Sequence, residues 1–216
     1  MLDFDVPFEE AIAWAAARVV LLPESYYSEI PAAARGKAFT VSGLAALDLI
    51  QEVIDSLKEA LETGETFQEW QKIAISRPEL LELPPGRLET IFRTGIQTHY
   101  GIGRTQQQRL NKGRRPYLMW DAINDTRVRP AHLAMDGYIA PIDDPIWLKW
   151  SPPAGFNCRC TRIALTEKQA KARGYPMDQP DEEPDAGFDY EAADWQEDIL
   201  EWIESEKRSK APPQFY

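Results

Sequence analysis

The chain has 216 residues, 44% hydrophobic and 27% charged, which excludes a disordered or fibrous protein and is enough to bury a core. Its 24 Lys+Arg against 35 Asp+Glu give a net charge of -11, which taken alone argues against a polyanion partner. The average hides an acidic–basic–acidic division: 7 basic and 16 acidic side chains in residues 1–92, 14 and 6 in 93–177, 3 and 13 in 178–216.

In chain order, Pro7 suits a first helical turn, and Phe8, Ile12, Ala16 and Val19 recur after it at helical spacing. The acidic N-terminus lacks the basic segment of a secretory signal. The most apolar stretch, 11–22, contains Arg18 and is too short to span a bilayer. A soluble intracellular or particle-bound protein is the expectation. Pro23 and Pro31 bound a loop carrying Tyr26 and Tyr27. Ser42 is placed to cap a second helix reaching about Glu62, with Leu44, Leu47, Ile54, Leu57 and Leu61 as its stripe and Gly64 at its end. Thr66–Glu69 has capping-box form and opens a third helix that turns Phe67, Trp70 and Ile73 inward. A fourth runs from Arg87 to about Leu110 with Leu88, Ile91, Phe92, Ile96, His99 and Ile102 inward, although Gly95, Gly101 and Gly103 weaken it.

Beyond Asn111 the texture changes. Tyr117–Ala122 and Cys158–Leu165 read as short strands, separated by a proline- and glycine-rich ordered loop. Pro176–Pro184 reads as an acidic linker, and Glu191–Arg208 as a helix with Trp195, Ile199 and Trp202 on one face. The chain thus divides into a helical region (1–110), an α+β module (111–174), and an acidic linker with a terminal helix (175–216). The fold class is α+β, mainly helical, with a small antiparallel sheet.

The chemistry-bearing residues concentrate in the basic middle. Cys158 and Cys160 lie two apart, so a strand would put both thiols on one face. They can be buried reduced thiols, a strained disulfide, or zinc ligands, for which the chain's two histidines, His99 and His132, would complete a Cys2His2 set. His132 with Asp125 or Asp136 can act as a general base or metal ligand, or simply satisfy buried polar groups. Arg127 and Arg129 can grip phosphate or pin the loop through Asp121, Asp125 and Asp136. Arg159 should face away from the thiols. Arg104, Arg109, Lys112, Arg114 and Arg115, with no acid between them, suit phosphate, an acidic protein surface, or a solvated helix end. The apolar stripe of the terminal helix suits a partner's groove or the chain's own basic module. No nucleotide-binding glycine fingerprint, HExxH or G-x-S-x-G occurs, so the case for an enzyme is thin.

One ordered series stands out: Trp120-Asp121, Asp-x-Arg-x-Arg-Pro-x-His over 125–132, Asp136-Gly137, Asp144-Pro145-Ile146-Trp147, and Pro152-Pro153 leading to Cys158-Arg159-Cys160. It resembles the phage Mu F-like family of head morphogenesis proteins, strongly over about 93–165 and more weakly over about 38–92; upstream of the series, Arg93-Thr94 and Ala38–Val41 also look like family features. Val128 departs from the pattern, since a Thr commonly separates the two arginines. The resemblance implies a non-catalytic minor head protein acting in procapsid assembly near the portal. Its loop would be held by Trp120, Asp125, Arg127, Arg129, His132, Asp136, Gly137, Pro153, Cys158, Arg159 and Cys160. The implied partners are the portal or major capsid protein, scaffold and packaged double-stranded DNA, with no membrane. The implied location is the phage head, reached from the host cytoplasm. Two readings compete: a metal-dependent nucleic-acid enzyme using His132 with Asp125 or Asp136, and a DNA-binding packaging factor without catalysis.

Overall fold

A computed structural model describes residues 9–16, 18–24, 26, 28, 38–41, 47–74 and 83–190. The expected helix start at Phe8, the cap at Ser42 and the terminal helix with Trp195, Ile199 and Trp202 lie outside these residues. Helix α1 (Glu9–Ala16) ends before Val19, which the helical spacing had included. Val19 and Val20 instead form strand β1 and pair in parallel with Ala38 and Phe39 of β2, as β-branched residues favour the extended backbone.

Helix α2 (Leu47–Thr63) repeats Ile50, Ile54, Leu57 and Leu61 along one buried face. The capping box at Thr66 opens α3 (Phe67–Ala74): the Thr66 N–H donates to the Glu69 carboxylate at 2.8 Å, and the Glu69 N–H returns to Thr66 Oγ1 at 3.4 Å. Trp70 then enters the core and donates its indole N–H to Ser56 Oγ at 3.0 Å. The rings of Phe67, Trp70 and Phe92 meet there at centroid distances of 5.2 to 6.3 Å, beside Leu57 and Leu88.

Helix α4 (Pro85–Leu110) is 26 residues long and continues through Gly95, Gly101 and Gly103. Packing outweighs their poor propensity, because Gly101 lies against the Pro152 carbonyl, where a β-carbon has no room. With Leu88 and Phe92 in the first core, α4 also presents residues from Thr90 to Gln108 to the module that follows. There Gln97 donates to the Cys160 carbonyl at 3.0 Å and Gln108 to the Arg162 carbonyl at 2.8 Å.

That module is a three-stranded antiparallel sheet in the order β4–β3–β5, built from β3 (Tyr117–Asp121), β4 (Ile139–Pro141) and β5 (Thr161–Leu165). Helices α5 (Pro130–Ala134), α6 (Ile146–Lys149) and α7 (Glu167–Ala172) interrupt or follow the strands. β5 begins at Thr161, not at Cys158 as expected. Its ladder with β3 ends where Thr161 meets Asp121, and the Cys160 carbonyl is already taken by Gln97. A second core gathers Leu118, Trp120, Met135, Trp147 and Trp150 behind this sheet. The stretch read as an acidic linker lies on the module: Met177 packs against its core, the Trp150 indole donates to the Glu182 carbonyl at 3.3 Å, and Glu183 pairs with Lys149. No described helix is long and apolar enough to cross a membrane.

Candidate functional site

The motif residues converge on α5 and the loop before β5. Pro130 starts α5 at a position where its missing N–H costs nothing, and this one-turn helix places His132 beneath the sheet at 1% exposure. Its ring stands edge-on to Trp120 and Trp150, at 5.9 and 5.7 Å between centroids, and those two indoles meet edge-on at 5.2 Å. The Trp120 indole N–H donates to the His132 carbonyl at 3.1 Å, fixing the turn from which the imidazole projects.

Both cysteines face that imidazole. The Sγ atoms of Cys158 and Cys160 each lie 3.6 Å from His132 Nδ1, and all three residues are buried. The thiols are free, so the disulfide reading is set aside. A hydrogen bond from the Cys160 thiol pulls Cys158 toward its thiolate, and the same bond pushes the Cys160 thiol up. Although residues 158–160 are not a strand, their side chains alternate in burial, with Arg159 turned to the other side.

The loop is positioned from α4. Asn157, with a left-handed φ of 56°, donates its backbone N–H to Thr94 Oγ1 and its side-chain amide to Thr90 Oγ1, both at 3.1 Å. The Pro152–Pro153 segment is buried against α4 and has a cis peptide bond.

The charged motif residues hold one another. Arg159 grips Asp125 with both guanidinium arms at 2.7 and 2.8 Å, and Asp125 also accepts the Arg127 backbone N–H at 3.0 Å. The Arg159 bonds, then that backbone bond, hold the Asp125 carboxyl well below the usual range. The Arg127 guanidinium is largely exposed, 3.7 Å from the same carboxylate. Asp136 accepts the Ala122 backbone N–H at 2.8 Å and the Asn124 amide at 2.9 Å. Gly137, at φ 77°, turns the chain into β4 and donates to the Trp120 carbonyl at 3.0 Å. Arg129 reaches the Phe156 carbonyl at 2.6 Å and Asp185 at 3.0 Å.

The expected sets therefore divide. His132, Cys158 and Cys160 come together, with their ligand atoms within 4.8 Å of one another. His99 does not join them: it sits in the packed interior of α4, near Arg18, so the Cys2His2 expectation loses its fourth member. Neither Asp125 nor Asp136 enters that cluster, because each is committed to the loop. The basic run after residue 103 is exposed throughout, and part of it is tied to the module. Arg104 donates to Thr161 Oγ1 at 2.8 Å, Arg115 donates to the Ala164 carbonyl at 2.8 Å, and Lys112 pairs with Asp143.

Asp185 escaped the sequence reading. Its Oδ1 lies 3.8 Å from His132 Nε2, while its backbone N–H donates to the Ala154 carbonyl at 3.0 Å. Nothing local marks it among the carboxylates of the tail. Arg162 was also missed, a buried guanidinium that reaches Thr105 Oγ1 and the Trp147 carbonyl. Its strand alternation was the available signal, since Arg162 falls on the inward face between Thr161 and Ile163.

Comparison with known proteins agrees with this motif geometry. The family model described as Phage Mu protein F like protein matches residues 51–163, which include α4, β3, the loop and the cysteines. The chain is 32% identical over 176 residues to the Mu-like prophage FluMu F protein of Haemophilus influenzae, covering 74% of this chain and 42% of that protein. It is 29% identical over 188 residues to the putative capsid assembly protein F of Escherichia phage Mu, covering 78% and 43% respectively. The chain thus spans less than half the length of either relative. No solved structure matches it. On the family match and this degree of identity, the chain belongs to the phage Mu protein F-like family.

Proposed function

We propose that the chain is a minor head component of a phage or prophage, acting in capsid assembly beside the portal as a rigid, non-catalytic docking module. The observation that carries this reading is the alignment of 78% of the chain with a protein described as a putative capsid assembly protein. The site supports it chemically. A catalytic centre holds its carboxylates and imidazole toward a cleft that can admit substrate. Here Asp125 is bound by Arg159, Asp136 by a backbone amide, and Asp185 by Arg129. The space beside His132 and the cysteines is only about 20 Å³. Such a set stiffens a long loop and gives its outer face a fixed shape.

Co-expression with the portal and major capsid proteins of the same genome tests the reading. The chain is expected to co-elute with the portal on size-exclusion chromatography and to be present in assembled heads. A chain that elutes alone beside both proteins and is missing from purified heads would refute it.

A further inference from the structure

We propose that His132, Cys158 and Cys160 form a zinc site that clamps α5 to the loop before β5, with Asp185 as the carboxylate behind the histidine. Nothing in the assembly reading requires this; it stands on the geometry of the cluster.

Zinc binds thiolate sulfur at about 2.3 Å and imidazole nitrogen at about 2.0–2.1 Å, so a tetrahedral ion separates the nitrogen from each sulfur by about 3.6 Å. Both sulfurs lie 3.6 Å from His132 Nδ1. In either tautomer Nδ1 offers one site in the ring plane, a lone pair or an N–H, and so makes one good hydrogen bond, yet two sulfurs are equidistant from it. An ion shared by all three satisfies both sulfurs at once.

The other ring nitrogen points the same way: His132 Nε2 is buried and makes no hydrogen bond among the described residues. A metal on Nδ1 places the proton on Nε2, 3.8 Å from Asp185 Oδ1, so a movement of about an ångström completes the carboxylate–histidine–zinc relay. Arg129 already holds that carboxylate from its other oxygen at 3.0 Å.

Two thiolates and a neutral imidazole cancel the dication, so the buried set carries no net charge and avoids the large cost of burying an isolated ion. The fourth coordination position opens on the small space lined by Ile123, Arg127, Val128, Arg129 and Asn157. About 20 Å³ accommodates one water as fourth ligand. The ion would join two segments that neither share a strand ladder nor form a disulfide.

The test uses the full chain, produced with zinc in the medium and purified without chelators. Elemental analysis is expected to find one zinc per chain. Exchange to cobalt should give the thiolate-to-cobalt charge-transfer band and the strong visible bands of a tetrahedral site. Both thiols should resist alkylation until a strong chelator is added. Cys158→Ser and His132→Gln should each lose the metal, His99→Gln should keep it, and Asp185→Asn should weaken zinc binding about 10–100-fold. Should the cysteine variants fail to fold, the unmodified chain still decides. Metal well below stoichiometry, together with thiols that alkylate equally fast with and without chelator, overturns the proposal. Full zinc retention by a folded Cys158→Ser/Cys160→Ser double variant overturns it equally.

Discussion

His99 and His132 show how one residue type takes two roles from its surroundings. Burial, then the nearby Arg18 charge, pushes the pKa of His99 down to about 3, against about 6.5 for an exposed imidazole. Between those values the unfolded chain binds a proton that the folded chain refuses. The stability involved is fully present above about pH 6.5 and is lost as the pH falls toward 3. Between about pH 7 and pH 5 this one group should cost about 2 kcal/mol. Urea unfolding of wild type and His99→Gln at the two pH values checks it, because the acid response of the rest of the chain cancels in the comparison. The variant should lose about 2 kcal/mol less than wild type on acidification, and equal losses would contradict the assignment. The inward position of His99 was legible from helical spacing alone. The grouping of His132 with the cysteines was not, because spacing offered both histidines equally and only tertiary packing separates them. Asp185 was hidden for a related reason: it meets Arg129 across more than fifty residues of sequence, and its neighbours in the chain resemble it chemically.

At the level of elements, legibility followed length. α2 and α4 repeat apolar residues over several turns and α3 over two, so their existence could be read directly, and their described apolar side chains face inward as the spacing implies. β4 has three residues and α6 has four, too few for any period, and they exist because β3 pairs with the one and the second core buries Ile146 and Trp147 of the other. α7 is a different case. Its capping box from Thr166 to Gln169 was present in the sequence and passed unread. The glycines of α4 misled in the opposite direction, since they mark close approach and not a break. This distinction is testable. At Gly101 a new β-carbon collides with the Pro152 backbone carbonyl, so the helix or the loop must shift. At Gly95 it meets the end of the Leu57 side chain at 2.7 Å, which can turn away more cheaply. Alanine gains about 1 kcal/mol of helix propensity at either site. Overpacking typically costs about 1–3 kcal/mol, so Gly101→Ala should lose up to about 2 kcal/mol net, and Gly95→Ala distinctly less. Chemical-denaturation midpoints of the two variants measure the order, and a reversed order would mean that α4 and the proline segment are not in contact.

For the whole molecule, the division of charge acquires a physical meaning. The stretch read from the sequence as an acidic linker is part of it, for residues 177–188 lie on the basic module. Asp185 pairs with Arg129, Glu183 with Lys149, and the Phe188 ring stands edge-on to Phe156 at 4.9 Å. The two ion pairs are partly exposed and contribute about 0–1 kcal/mol each, and the aromatic pair about 0.5–1.5 kcal/mol. The segment's attachment should therefore be worth about 2 kcal/mol in total, enough to persist and small enough to be displaced by a strongly charged partner. A chain ending at residue 190 keeps these contacts, whereas one ending at residue 177 loses them along with six carboxylates. The shorter chain should unfold at a lower denaturant concentration than the longer one. It should also bind an anionic column such as heparin more tightly, eluting at higher salt, because Arg129 and Lys149 are no longer neutralised and the module's positive field is uncovered. The two readouts answer different questions. Equal unfolding midpoints would mean that the segment adds nothing to the fold, and equal elution would mean that its carboxylates do not mask the module. Together they measure whether the acidic segment shields the basic surface that a polyanion or an acidic protein face would meet.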